Sequence, residues 1–114
     1  MGLIYKICGE EEWKNALIAG IYEGSADDRR DGFIHFSAAN QVAGTLARHF
    51  SGRRDLVLIA VDESALGDGL KYEASRGGAL FPHLYGVLPL TAVRWQKPIQ
   101  LANGEHVLPT GIPA

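Results

Sequence analysis

Six side chains of ligand-handling type stand out along the chain: His35, Ser37, Glu73, Arg76, His83 and Tyr85. Arginine offers a bidentate clamp for an anion, while serine, histidine and tyrosine offer directional hydrogen bonds. The set suits a ligand that carries anionic and hydroxyl groups. His35 lies within Gly32-Phe33-Ile34-His35-Phe36-Ser37, which reads as a short strand. Side chains alternate across a strand, so if Ile34 and Phe36 enter the core, Phe33, His35 and Ser37 share the other face. An aromatic ring beside two polar groups is a combination that clefts use to orient a polar ligand. The same residues also admit a structural reading. Ser37 then caps the helix that follows, His35 is an ordinary half-buried histidine, and His83 with Arg76 fixes a loop.

Other chemistries find no support. The four histidines, His35, His49, His83 and His106, show no local zinc-ligand spacing with one another or with Cys8. No metal is expected. A Gly-x-Gly-x-x-Gly after a strand, a Walker phosphate loop and Gly-x-Ser-x-Gly are all absent. Cys8 falls early, on an expected strand, where a nucleophilic role has little support.

The elements that must position the polar set follow from hydrophobic spacing and punctuation. Leu3 to Cys8 reads as a first strand. Glu10-Glu11-Glu12 then suits the first turn of a helix that carries Trp13, Ala16 and Leu17 on its apolar stripe and stops at Gly20. Ile21 to Gly32, with Gly24-Ser25 and the charged run 27–31, reads as a surface loop. After Ser37, Ala39, Val42, Ala43, Leu46 and Phe50 recur at helical spacing up to Gly52. Leu56 to Val61 is an unbroken apolar run, expected as a strand buried on both faces at the centre of a sheet. Leu70 to Glu73 alternates like a strand, and Glu73 leads into the Arg76 connection. Leu80 to Gly86 is interrupted by Pro82 and reads as a structured loop that packs Phe81 and Leu84 inward and offers His83 and Tyr85 to a cleft. Val93 to Gln96 reads as a strand that Pro98 ends or marks as an edge. Asn103-Gly104 has the spacing of a tight hairpin, and 109–114 reads as a loose tail.

At 114 residues the chain is expected to be one domain, with an ordered core over about 3–109. Its 46% hydrophobic content supports a core without staples, and a single cysteine rules out an internal disulfide and points to the cytoplasm. With 13 acidic and 11 basic side chains the formal charge is −2. Bulk nucleic-acid binding is disfavoured, although a local basic pocket at Arg29, Arg30, Arg53 or Arg54 stays open. No leader segment and no apolar run near the ~18 residues of a membrane span are read from the sequence.

Three runs carry a family resemblance: IYKI at 4–7 with EEW at 11–13, DGFIHFS at 31–37 continuing to HF at 49–50, and SRGGALFPHLYG at 75–86 ahead of LPL at 88–90. The chain resembles the family catalogued as domain of unknown function 952, whose members are similar to compact relatives of the ADP-ribosyltransferase fold. The resemblance implies an α+β architecture with two small, mostly antiparallel sheets and two principal helices. It also implies a cleft for NAD, ADP-ribose or a 2'-phosphate nucleotide derivative, with an ADP-ribosyl or phosphoryl transfer as the reaction. On that likeness His35 and Ser37 position ribose or phosphate, Arg76 neutralises an anion, and Tyr85 or Phe33 stacks on a ring. Glu73 or His83 acts as acid, base or charge stabiliser. A non-catalytic nucleotide or small-molecule binding module with the same fold is the alternative.

Overall fold

A computed structural model describes residues 2–113, without the side chain of Arg76. The centre is strand β4, Leu56–Asp62, which lies between β1, Leu3–Gly9, and β8, Val93–Ala102, antiparallel to both. Its apolar run is explained by a core on each face. Val57, Ile59 and Val61 join Ile4, Trp13, Tyr22, Ile34, Phe36 and Leu84 on one side. Leu56, Leu58 and Ala60 join Tyr5, Ile7, Val42, Leu46 and Ile99 on the other. Cys8 belongs to the first cluster, and burial, followed by the nearby Glu12 charge, pushes its thiol up to about 12. It therefore stays protonated and unreactive at neutral pH.

Helix α1, Glu10–Ala19, ends as the sequence predicts, with Gly20 in the left-handed conformation at φ 84°. Three acidic residues fill its first turn, and Trp13 and Ala16 are buried. The expected loop over 21–32 is corrected: it holds strand β2, Ile21–Tyr22, and helix α2, Ala26–Asp31. Helix α2 is too short to show an apolar stripe, and its stability is local. The Ser25 hydroxyl accepts from Asp28 N at 3.1 Å, while the Asp28 carboxylate accepts from Ser25 N at 2.9 Å. Gly32 then closes it at φ 88°.

Only Ile34–His35 of the expected central strand forms ladder pairs, as β3. Ile34 and Phe36 do enter the core, and the polar side chains face away from it. Helix α3, Val42–His49, follows a short 3-10 turn over Ala39–Gln41 and buries Val42 and Leu46. Leu80–Leu84 is corrected from a loop to strand β6, which lies between β3 and β5, Leu70–Ala74. Pro82 is tolerated because its carbonyl accepts from Phe36 N at 2.9 Å. Its nitrogen faces the same way, past the last ladder pair His35–His83, where no strand asks for a donor. Phe81 is only partly buried, whereas Leu84 packs in the core as expected.

Among the described residues the sheets number three rather than two, because β2 pairs with β7, Leu88–Pro89, beside the four-stranded and three-stranded sheets. Strand β8 runs through Pro98 to Ala102, so Pro98 does not end it but, as the other expectation had it, stands at an edge. There β4 pairs on one side, and β9, Glu105–Val107, pairs only with Gln100–Ala102 on the other. Asn103 and Gly104, both at positive φ, turn β8 into β9, as the sequence predicts. The expected loose tail over 109–114 is corrected in part, since Ile112 packs against the second core cluster. Among the described residues no helix is long and apolar enough to cross a membrane.

Candidate functional site

The capping box of α2 turns the Asp28 side chain inward, where it is 2% exposed. Its Oδ2 accepts from Ser25 N and from Lys6 Nζ at 2.7 Å, and its Oδ1 accepts from His35 N at 3.1 Å and contacts His35 Nδ1 at 2.6 Å. Lys6, 5% exposed on β1, also donates to the His35 carbonyl at 3.1 Å. A buried carboxylate is normally pushed up by loss of hydration. Here desolvation is overcome by the hydrogen bond from His35 and by the charge and hydrogen bond of Lys6, which hold Asp28 well below the usual range.

A depressed native pKa means that the stabilisation is complete above the ordinary aspartate value near ~3.9 and is lost as pH falls toward the native value. Unfolding free energy in urea is therefore expected to fall by about 1.4 kcal/mol per pH unit below that point from this group. In Asp28→Asn this part of the acid slope should be missing; an unchanged slope would show that the folded protein does not hold the Asp28 carboxyl below its ordinary value.

Beside this network is a cavity of about 280 Å³. Tyr5, Lys6 and Ile7 of β1, Asp27, Asp28, Arg30 and Asp31 of α2, Thr45 and His49 of α3, and Phe81 of β6 contribute to its wall. His35, Ser37 and His83 line it as well, so three of the side chains picked from the sequence are brought together. His35 Nε2 lies 3.0 Å from Asp31 Oδ2 at the wall. Ser37 is not a helix cap: its hydroxyl pairs with Thr45 Oγ1 at 2.9 Å, and its backbone exchanges two 2.8 Å bonds with Tyr5.

Glu73, Phe33 and Tyr85 are not on the cavity wall. Glu73 lies behind His83, with Oε1 2.7 Å from His83 Nδ1, and accepts from the Tyr85 hydroxyl at 2.7 Å. Those contacts, His83 first, lower the Glu73 carboxyl, and the same carboxylate raises the Tyr85 phenol. Phe33 stacks on His83 at 4.0 Å between centroids, with Tyr85 at 5.2 Å, so its ring is already occupied. The Arg76 side chain falls outside the described residues. Of the local basic pocket raised by the sequence, Arg30 pairs with Asp27 and Asp31 and Arg29 with Glu23. Among the described residues no cluster of three or more His, Cys, Asp or Glu is arranged to hold a metal ion.

Sequence reasoning missed Lys6, Asp28, Asp31 and Thr45. Two signals were present: a lysine in the middle of an apolar strand, and Ser25-x-x-Asp28 as a capping box that points its acid inward.

Fold and site together define an α+β protein of curled antiparallel sheets with a histidine–carboxylate cavity against the main sheet. The chain belongs to the family described as protein of unknown function (DUF952), whose model matches residues 7–96. It is similar to the crystal structure of protein CC0527 from Caulobacter crescentus, at 48% identity and a TM-score of 0.89 over 92% of this chain and 93% of that one. The solution NMR structure of CC0527 agrees at 48% identity and a TM-score of 0.82, over 93% and 91%. No curated protein matches the chain.

Proposed function

We propose that the chain binds a nucleotide fragment in the cavity beside β1 and acts on it by acid–base chemistry through His35. The proposed architecture is ADP-ribosyltransferase-like, and the ligand class is NAD, ADP-ribose or a 2'-phosphate nucleotide derivative. The observation that carries this is the Asp28–His35 contact: a buried carboxylate grips Nδ1, and Nε2 meets the more exposed Asp31, at 3.0 Å, on the cavity wall. That is how a general acid or base is held in register. Ser37 and Thr45 offer hydroxyls for a sugar, and Phe81 an apolar wall for a ring. At about 280 Å³ the space is at the lower end of ligand pockets, ~300–1,000 Å³, enough for a ring and a sugar rather than a whole dinucleotide. The rest of a larger ligand lies outside. No metal takes part in this reading.

One observation favours the non-catalytic alternative. Lys6 of the first strand is turned into the Asp28 ion pair, so β1 offers no free cation to hold a ribose or phosphate. A binding module would take up the same ligand without converting it.

Thermal unfolding with NAD, ADP-ribose, nicotinamide and 2'-phosphorylated nucleotides tests the reading. A ligand at ~100 times its dissociation constant adds about 2.7 kcal/mol, or about 10 °C in a protein of this size. The rise should vanish in His35→Asn, whose amide nitrogen replaces Nδ1 and keeps the bond to Asp28 while deleting Nε2. No rise with any compound, or the same rise in the variant, sinks the proposal; a rise without turnover selects the binding module.

A further inference from the structure

We infer that the cavity works through two imidazoles rather than one. It thereby selects, within the nucleotide class proposed above, a substrate whose leaving group departs through an oxygen that must be protonated. The inference rests on that reading of the cavity as a ligand site. His35 and His83 face each other as the last pair of the β3–β6 ladder, with ring centroids 5.5 Å apart at 72°. Each is gripped at the same nitrogen, Nδ1, by its own carboxylate: Asp28 at 2.6 Å and Glu73 at 2.7 Å. Phe33 braces both rings, at 4.6 Å from His35 and 4.0 Å from His83. A single histidine with a carboxylate neighbour is a common structural contact. Two of them, anchored at the same atom on paired positions and braced by one ring, bring two imidazoles to the wall of one cavity.

Both ring nitrogens of His35 face carboxylate oxygens, the second being Asp31 at 3.0 Å. A hydrogen on either nitrogen therefore meets an oxygen acceptor, and in the proposed step His35 takes the donor's part. His83, with one carboxylate, is disposed to accept. Asp31 is the more exposed of the two acids and gives way when a ligand takes its place.

A site that both takes and gives a proton is wasted on NAD, whose nicotinamide leaves as a neutral base. It matches an acetal in which the ribose anomeric carbon is joined to its substituent through oxygen. In that step a water oxygen bonds to the anomeric carbon as His83 Nε2 removes its proton. The anomeric carbon–oxygen bond breaks with its electron pair on the departing oxygen, which takes the Nε2 proton of His35. The products are the free sugar and an alcohol. Exchange with solvent returns the proton to His35 and removes it from His83. Glu73 and Asp28 are positioning residues.

The test compares three probes: ADP-ribose carrying methoxide or p-nitrophenoxide at the anomeric carbon, and NAD. The wild-type protein is expected to release methanol and p-nitrophenol at rates within about tenfold of each other, both faster than nicotinamide. His35→Asn should lose about 10²–10⁴-fold in methanol release but less than about tenfold in p-nitrophenol release, because nitrophenoxide leaves unaided. His83→Asn should lose both. Thermal unfolding establishes that each variant is folded; if one is not, the wild-type order of leaving groups decides alone. Nicotinamide leaving faster than methanol, or equal losses for both leaving groups in His35→Asn, overturns the inference. If the probes raise the melting temperature and neither oxygen-linked compound is cleaved, the two-imidazole step alone falls. If none of them binds, the nucleotide reading falls with it.

Discussion

Replacing Asp28 by alanine is expected to cost roughly 3–5 kcal/mol of stability, because it strands the Lys6 ammonium in a site where that lysine is 5% exposed. The melting temperature should fall by more than about 12 °C. The cause is the uncompensated charge rather than the lost contacts, and a double variant separates the two. Lys6→Met with Asp28→Leu removes both charges and fills the space, which for buried pairs is often close to neutral. The double variant should recover most of the loss and remain about 1 kcal/mol short, the value of the lost Ser25 capping box. A double variant as unstable as Asp28→Ala would mean that α2 and its cap, not the ion pair, carry the stability. Chemical denaturation of the wild type and these two variants decides it.

The second large effect is expected at Ile59. It is fully buried in the middle of β4 and belongs to the larger core cluster with Ile4, Trp13 and Val57. Ile59→Ala should cost about 2–5 kcal/mol, the transfer term plus the cavity that neighbouring strands on both sides cannot close. Ile18 on the outer face of α1, 87% exposed, supplies the control. Its alanine variant should lie within about 0.5 kcal/mol of wild type. A loss at Ile59 no larger than that would show that β4 is not the centre of the sheet.

The contrast between what was legible and what was not follows the length of each element. The run 56–61, the helix stopped by Gly20 and the hairpin at Asn103-Gly104 each write their structure in consecutive residues, and each forms as read. Strand β6 does not, because Pro82 depends on where β3 stops, a fact about another segment. The burial of Ile34 and Phe36 was legible from alternation, and with it the cavity-facing side of His35 and Ser37. Asp28 was hidden among four other charged residues in 27–31. Nothing in that run separates the buried acid from its solvated neighbours except Ser25, three positions before it. Glu73 and Phe33 were legible as functional types, but their positions behind the histidines depend on strand register.

Asp28 sits where three obligations meet: it closes the first turn of α2, neutralises Lys6 and sets the rotation of the His35 ring. A chain that has not yet wound α2 has no carboxylate in place and so no aligned imidazole. Under the proposed acid–base reading, correct assembly is in this way a precondition for reactivity, and a half-formed copy is silent rather than indiscriminate. The same economy narrows what drift can do here. A substitution that retunes the histidine through its acid also loosens the helix, so change at this cavity has freer play at lining residues outside that network, such as Thr45 and Phe81.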